Sequence, residues 1–172
     1  MGPTQRRRAV AISSLISACG LVCVLLLAGL VADQENCIDQ MYANVKRCLQ
    51  FATEECPLLI ETPAAENGEL CANISSMICF FDRFDSKERK VLGICIDTCH
   101  VYQAGYMPLN YIKKWLKRSS IPIRLIHFND SQRSRGCCVD SHKFPGQGEI
   151  GVCHMLEVAK FACRKNIPCV LE

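Results

Sequence analysis

MGPTQRRRAVAISSLISACGLVCVLLLAGLVADQE, residues 1–35, is the stretch on which the reading of the chain turns. Arg6, Arg7 and Arg8 come first, and from Ala9 to Ala32 there is no charged residue. Charge returns at Asp33 and Glu35. A basic start, an apolar run and a small residue at its end mark a secretory signal peptide. The run is also long enough to span a bilayer, so a signal anchor with cytoplasmic arginines is the alternative. Either way, residues 1–32 read as a targeting segment and residues 33–172 as one extracellular domain.

That compartment sets the meaning of the cysteines. Twelve lie beyond residue 32: Cys37, Cys48, Cys56, Cys71, Cys79, Cys95, Cys99, Cys137, Cys138, Cys153, Cys163 and Cys169. An even, dense set on the secretory route reads as a framework of up to six disulfides. Two sequons, at Asn73 and Asn129, predict N-glycosylation.

Helical spacing carries the fold prediction. Cys37, Met41, Val45, Cys48 and Ala52 share one stripe, predicting a helix over 36–55. Glu69 to Phe81 is a shorter candidate, with Cys71, Ile74 and Ile78. Asp85 and Glu88 form a capping-box pattern ahead of Leu92, Cys95, Ile96, Cys99 and Tyr102. Leu109, Ile112, Trp115 and Leu116 define a fourth helix, and Val152, Leu156, Ala159 and Cys163 a fifth. Residues 121–128 are extended in character, and Pro122 predicts an edge strand. The expected fold is mainly α: a disulfide-rich helical single domain of four to five helices behind an N-terminal signal segment.

Charge nominates a surface. Setting Arg6, Arg7 and Arg8 aside leaves 17 basic residues against 17 acidic, so the domain is neutral. Residues 109–136 nevertheless concentrate Lys113, Lys114, Lys117, Arg118, Arg124, Arg133 and Arg135 against the single acid Asp130. Such a cluster suits an anionic glycan or an acidic protein. A solvated face paired with the acidic half of the chain is the bland alternative. No nucleic-acid motif is present, and a membrane partner arises only if residues 1–32 stay attached.

No motif nominates catalysis, a cofactor or a metal. His100, His127, His142 and His154 lack zinc-site spacing, and Cys95-x₃-Cys99 alone has a suitable gap. The run Cys137-Cys138-Val139-Asp140-Ser141-His142-Lys143 resembles the Cys-Cys-x-x-His-Asp motif of secreted phospholipases A2. Its histidine comes one residue late, about 100° around a helix, so no active-site role is carried over. Helices with in-line cysteines also resemble insect odorant-binding proteins and cysteine-rich receptor modules, without matching their cysteine order. The functional expectation is therefore a secreted, non-enzymatic binding protein with an unknown extracellular partner. A helical carrier of a small apolar ligand is the alternative, and a secreted enzyme the residual one.

Overall fold

Short apolar runs, buried on both faces, organise this chain as strands. Leu58–Glu61, Leu92–Asp97 and Ile123–His127 form β3, β4 and β5 in the computed structural model, which describes residues 15–16, 22–24 and 34–172. Every residue of β3 and β4 is buried. Near-continuous Leu and Ile runs of this length suit a parallel sheet covered on both sides. Pairing runs in the order β1-β2-β3-β4-β5-β8, with β1 at Leu15–Ile16, β2 at Val22–Val24 and β8 at Cys169–Val170. β1 and β2 are antiparallel, and every other neighbouring pair is parallel.

Among the described residues, five α-helices connect or flank the strands: α1 Gln34–Leu49, α2 Ile74–Phe81, α3 Thr98–Gln103, α4 Pro108–Arg118 and α5 Val152–Lys165. A two-stranded ribbon, β6 Asp130–Ser131 and β7 His142–Lys143, stands apart from the main sheet. Alternation along the strands separates two faces. Leu58, Ile60, Ile94, Ile96 and Ile126 pack with Val45, Met77, Phe81, Ile112, Trp115 and Val158 of the helices. Leu59, Cys95 and Leu125, with Val170, form a smaller layer on the other face.

The mainly α, disulfide-rich expectation is corrected by this sheet. Leu92, Cys95, Ile96, Cys99 and Tyr102 meet a helical period, yet they belong to β4 and the start of α3. The capping box is real: Asp85 Oδ1 accepts from the Lys87 and Glu88 amides, and Glu88 Oε2 accepts from Asp85 N. It opens a 3₁₀ turn at Glu88–Val91 that feeds β4, not a long helix. β5 lies between β4 and β8, so Pro122 does not mark an edge. Pro122 stands just ahead of the strand, where its carbonyl accepts from Ile94 N.

Cys37, Cys48, Cys56, Cys71, Cys79, Cys95, Cys99, Cys137, Cys138, Cys153, Cys163 and Cys169 all carry thiols rather than disulfides. The framework of six bridges is absent among the described residues, and burial of the sheet does the stabilising instead. The targeting segment 1–32 lies outside the described residues except at 15–16 and 22–24, which are sheet strands. No helix among the described residues is long and apolar enough to cross a membrane. The apolar residues that could have lined a carrier's pocket are packed core at Met41, Val45, Ile74, Met77, Ile78, Leu92 and Ile96, while Leu116 and Leu156 face outward.

One glycine holds the segment after β7 in place. Asp130 is fully buried, and its carboxylate accepts from the amides of Ser131, Gly146 and Ile150. A Cβ on Gly148 would stand 2.3 Å from Ser131 O and 2.6 Å from Asp130 Oδ1. Backbone oxygen cannot swing aside as a flexible side chain can. Gly148→Ala is expected to lower stability by about 1–3 kcal/mol, read as a downward shift of the urea midpoint. An unchanged midpoint would contradict the close approach.

Candidate metal centre

Each inward row of β3, β4 and β5 ends in an ionisable residue. The rows run Leu59 to Glu61, Cys95 to Asp97 and Leu125 to His127. Two residues past Val170, Glu172 joins them. The carboxyl ends of parallel strands are where ligands bind in α/β sheets.

His127 Nδ1 sits 2.7 Å from Glu61 Oε1, 2.9 Å from Glu172 Oε2 and 3.8 Å from Asp97 Oδ2. One donor atom from each of these four residues lies within 4.8 Å of all the others. A second set adjoins the first: His100 from α3, Asp140, and His142 from β7. His100 Nε2 and His142 Nε2 are 3.2 Å apart, and Asp140 Oδ1 lies 3.3 and 3.1 Å from them. The sets touch where His142 Nε2 approaches Asp97 Oδ2 at 3.8 Å and His100 Nδ1 approaches Glu61 Oε1 at 3.7 Å.

Local folding fixes these side chains. Asp97 is the N-cap of α3, and its Oδ1 accepts from the Cys99 and His100 amides. Its Oδ2 accepts from Asn129 Nδ2 and faces the cluster. His100 Nδ1 donates to the Thr62 carbonyl, which can only accept. In the neutral ring that bond fixes the tautomer and leaves Nε2 as the electron-pair donor toward the cluster.

Electrostatics shows a site short of positive charge. Burial pushes Glu61 up to about 7, against the opposing pull of His127. Its Oε2 is buried without a hydrogen-bond partner among the described residues. Burial opposes charge on His100, but Asp97, Asp140 and Glu61 overcome it and push that imidazole up to about 10. Asp140 is held well below the usual carboxylate range by hydrogen bonds from His100 and His142. His127 likewise holds Glu172 down, and Asp140 raises His142. Protons on imidazoles are thus neutralising a carboxylate nest. Divalent cations would do the same at these donors, and mixed imidazole–carboxylate ligands suit zinc, manganese or iron. The residues present fit such ions.

A pH signature follows. Glu61 has a folded pKa above its ordinary 4.5, so its contribution is intact below that value and lost as pH rises through about 7. His100 is raised from 6.5 to about 10, so its contribution is also lost as pH rises. Between about pH 5 and pH 9 both act in the same direction. The chelator-treated chain is expected to melt lower at pH 8.5 than at pH 5.5, with the gap narrowed by added divalent cation. A higher melt at pH 8.5 without cation would contradict this balance.

The basic stretch does not assemble here. Lys113, Lys114, Lys117 and Arg118 are exposed on α4, Arg124 is exposed on β5, and Arg133 and Arg135 occupy the turn after β6. Asn129, read as a glycan acceptor, is buried, with its amide bonded to Asp97 and to the Glu172 N–H. Asn73 caps α2 through Ser76 N. Sequence reasoning missed Glu61, Asp97 and Glu172, and it set His100, His127, Asp140 and His142 aside. The available signal was an apolar strand-length run ending in an acid or a histidine, seen three times: Leu-Leu-Ile-Glu61, Ile-Cys-Ile-Asp97 and Leu-Ile-His127.

Comparison with known proteins agrees with this sheet. Residues 4–172 match the family model described as xylose isomerase-like TIM barrel. The chain is 32% identical over 137 residues to the probable endonuclease 4 of Mesomycoplasma hyopneumoniae strain J, covering 77% of this chain and 48% of that protein. It is 28% identical over 161 residues to the probable endonuclease 4 of Ureaplasma urealyticum serovar 10, covering 89% and 52%. The crystal structure of endonuclease IV from Thermus thermophilus superposes with a TM-score of 0.69 at 24% identity, over 89% of this chain and 54% of that one. The chain thus spans about half the length of the curated relatives it matches. These relatives overturn the expectation of a disulfide-bonded, glycosylated, non-enzymatic binding protein that excludes nucleic acid. Over residues 4–172, this chain belongs to the xylose isomerase-like TIM-barrel family.

Proposed function

We propose that this chain supplies the metal-binding part of a DNA endonuclease that hydrolyses a phosphodiester bond. The observation that carries the reading is the convergence of Glu61, Asp97, His127 and Glu172 with His100, Asp140 and His142 at the strand ends. Its relatives named endonuclease 4 support the choice of substrate.

Cations held by the two sets would supply Lewis acidity toward a phosphoryl oxygen and lower the pKa of a bound water. The chain's own residues do the rest. Asp97 stands between the sets and fixes their spacing through its α3 cap. His142, a quarter exposed, reaches from the buried layer to the cleft lined by Asn129, Gln132, Lys143, Phe144, Leu171 and Glu172. Lys143 brings positive charge to the rim, as a phosphate backbone requires.

His142→Ala is the direct test, because the site is accessible there and the fold is less engaged. Metal content should fall, and cleavage of a duplex carrying one abasic site should drop at least about 100-fold. Retained cleavage with lost metal would overturn the metal-dependent reading. Absence of cleavage by the metal-loaded parent chain would overturn the nuclease reading.

A further inference from the structure

Directly below Asp97, on the same row of β4, stands Cys95, with no exposed surface. Its Sγ, one carboxylate oxygen of Glu61 and one ring nitrogen of His127 all lie within 4.8 Å of one another. Successive inward residues on a strand are about 6.6 Å apart. The thiol therefore occupies the layer beneath the carboxylates, walled by Leu59 and Leu125. Glu61 and His127 stand between two ligand environments. Above them are the hard oxygens of Asp97 and Glu172, and below them is a sulfur. All three members of the lower set are buried, so an ion there would be shielded from water.

We propose that Glu61, Cys95 and His127 form a second, thiophilic cation site that takes a soft divalent ion such as Cd²⁺ and excludes an ion from the upper set. Soft metals prefer thiolate, while carboxylate sites suit harder ions. Binding replaces the thiol proton: the S–H bond breaks, an Sγ–metal bond forms, and one proton leaves to water. No oxidant or reductant takes part. The orphaned Oε2 shows that the Glu61 carboxylate has capacity for a further partner. Because Glu61 and His127 serve both sets, soft and hard cations compete even though their other ligands differ. The inference rests on the metal reading of this layer, and adds the thiol to it.

The full chain is first stripped of metal and alkylated while folded, so that the accessible thiols are blocked; mass mapping verifies that Cys95 is unmodified. Cd²⁺ is then added. X-ray absorption at the cadmium edge should show one sulfur per bound ion, and a thiolate-to-cadmium band should rise in the ultraviolet. Cys95→Ser should abolish both and weaken Cd²⁺ relative to Mn²⁺ by about tenfold or more. Cys99→Ser and Asp97→Asn should keep both. Cadmium bound by nitrogen and oxygen alone would overturn the inference while leaving the upper site standing. A band that survives Cys95→Ser would also overturn it. Failure of any divalent cation to bind would overturn this site and the metal reading together. If the Cys95 variants do not fold, the sulfur count on Cys99→Ser decides the matter, because Cys99 is the other buried thiol beside these ligands.

Discussion

Asp97→Asn is expected to reduce DNA cleavage at least about 100-fold while leaving the fold in place. The amide keeps the shape of the carboxylate and can still accept from the Cys99 and His100 amides. What disappears is the negative charge shared by the two ligand sets, at 3.8 Å from both His127 and His142. The new NH₂ group also opposes the Asn129 amide, which donates to that oxygen at 2.7 Å. Metal analysis of purified protein should show less bound ion. The melting curve should shift by no more than the ~1–2 kcal/mol attached to a helix cap. Cleavage within about threefold of the parent would sink the assignment of Asp97 as the shared ligand.

Trp115→Ala carries the largest expected loss of stability, about 3–5 kcal/mol. Trp115 is fully buried in the outer layer, where its ring meets Phe81 edge-on at a centroid distance of 5.6 Å. Its Nε1 donates to the Ile121 carbonyl at 2.9 Å, fixing the turn that leads into β5. Alanine would open a cavity and strand that carbonyl. Domain stabilities are commonly about 5–15 kcal/mol, so the variant should be largely unfolded in mild urea. Trp115→Phe refills most of the volume without the donor, and should recover over half of the loss. An alanine variant within about 1 kcal/mol of the parent would contradict the packing described.

Several elements were legible in the residues. α1, α2, α4 and α5 overlap the predicted helical stripes, although α1 ends at Leu49 and not at residue 55, because amphipathic helices on a sheet face display their period openly. β4 was not legible, because a strand buried on both faces is apolar throughout and matches any period. β2 lies inside the apolar run from Ala9 to Ala32, so hydrophobicity there read as targeting. That one reading then turned twelve thiols into a disulfide framework, and the framework into an extracellular function. The site residues were hidden for a different reason. Glu61, Asp97, His127 and Glu172 are spread over more than a hundred positions, and only the parallel order of the strands brings their ends together.

β8 has just two residues, Cys169 and Val170, paired to Ile126 and His127. Glu172 hangs from that short ladder, joined to Asn129 and His127. Short strands with few backbone hydrogen bonds open at lower free energy than the longer core elements they pair with. Local opening of β8 would release Ile126 N from Pro168 O and Phe128 N from Val170 O. Cation release and hydrogen exchange at those two amides should accordingly rise and fall together. A break in that two-residue ladder would thereby loosen one of the four acidic and imidazole groups of the layer.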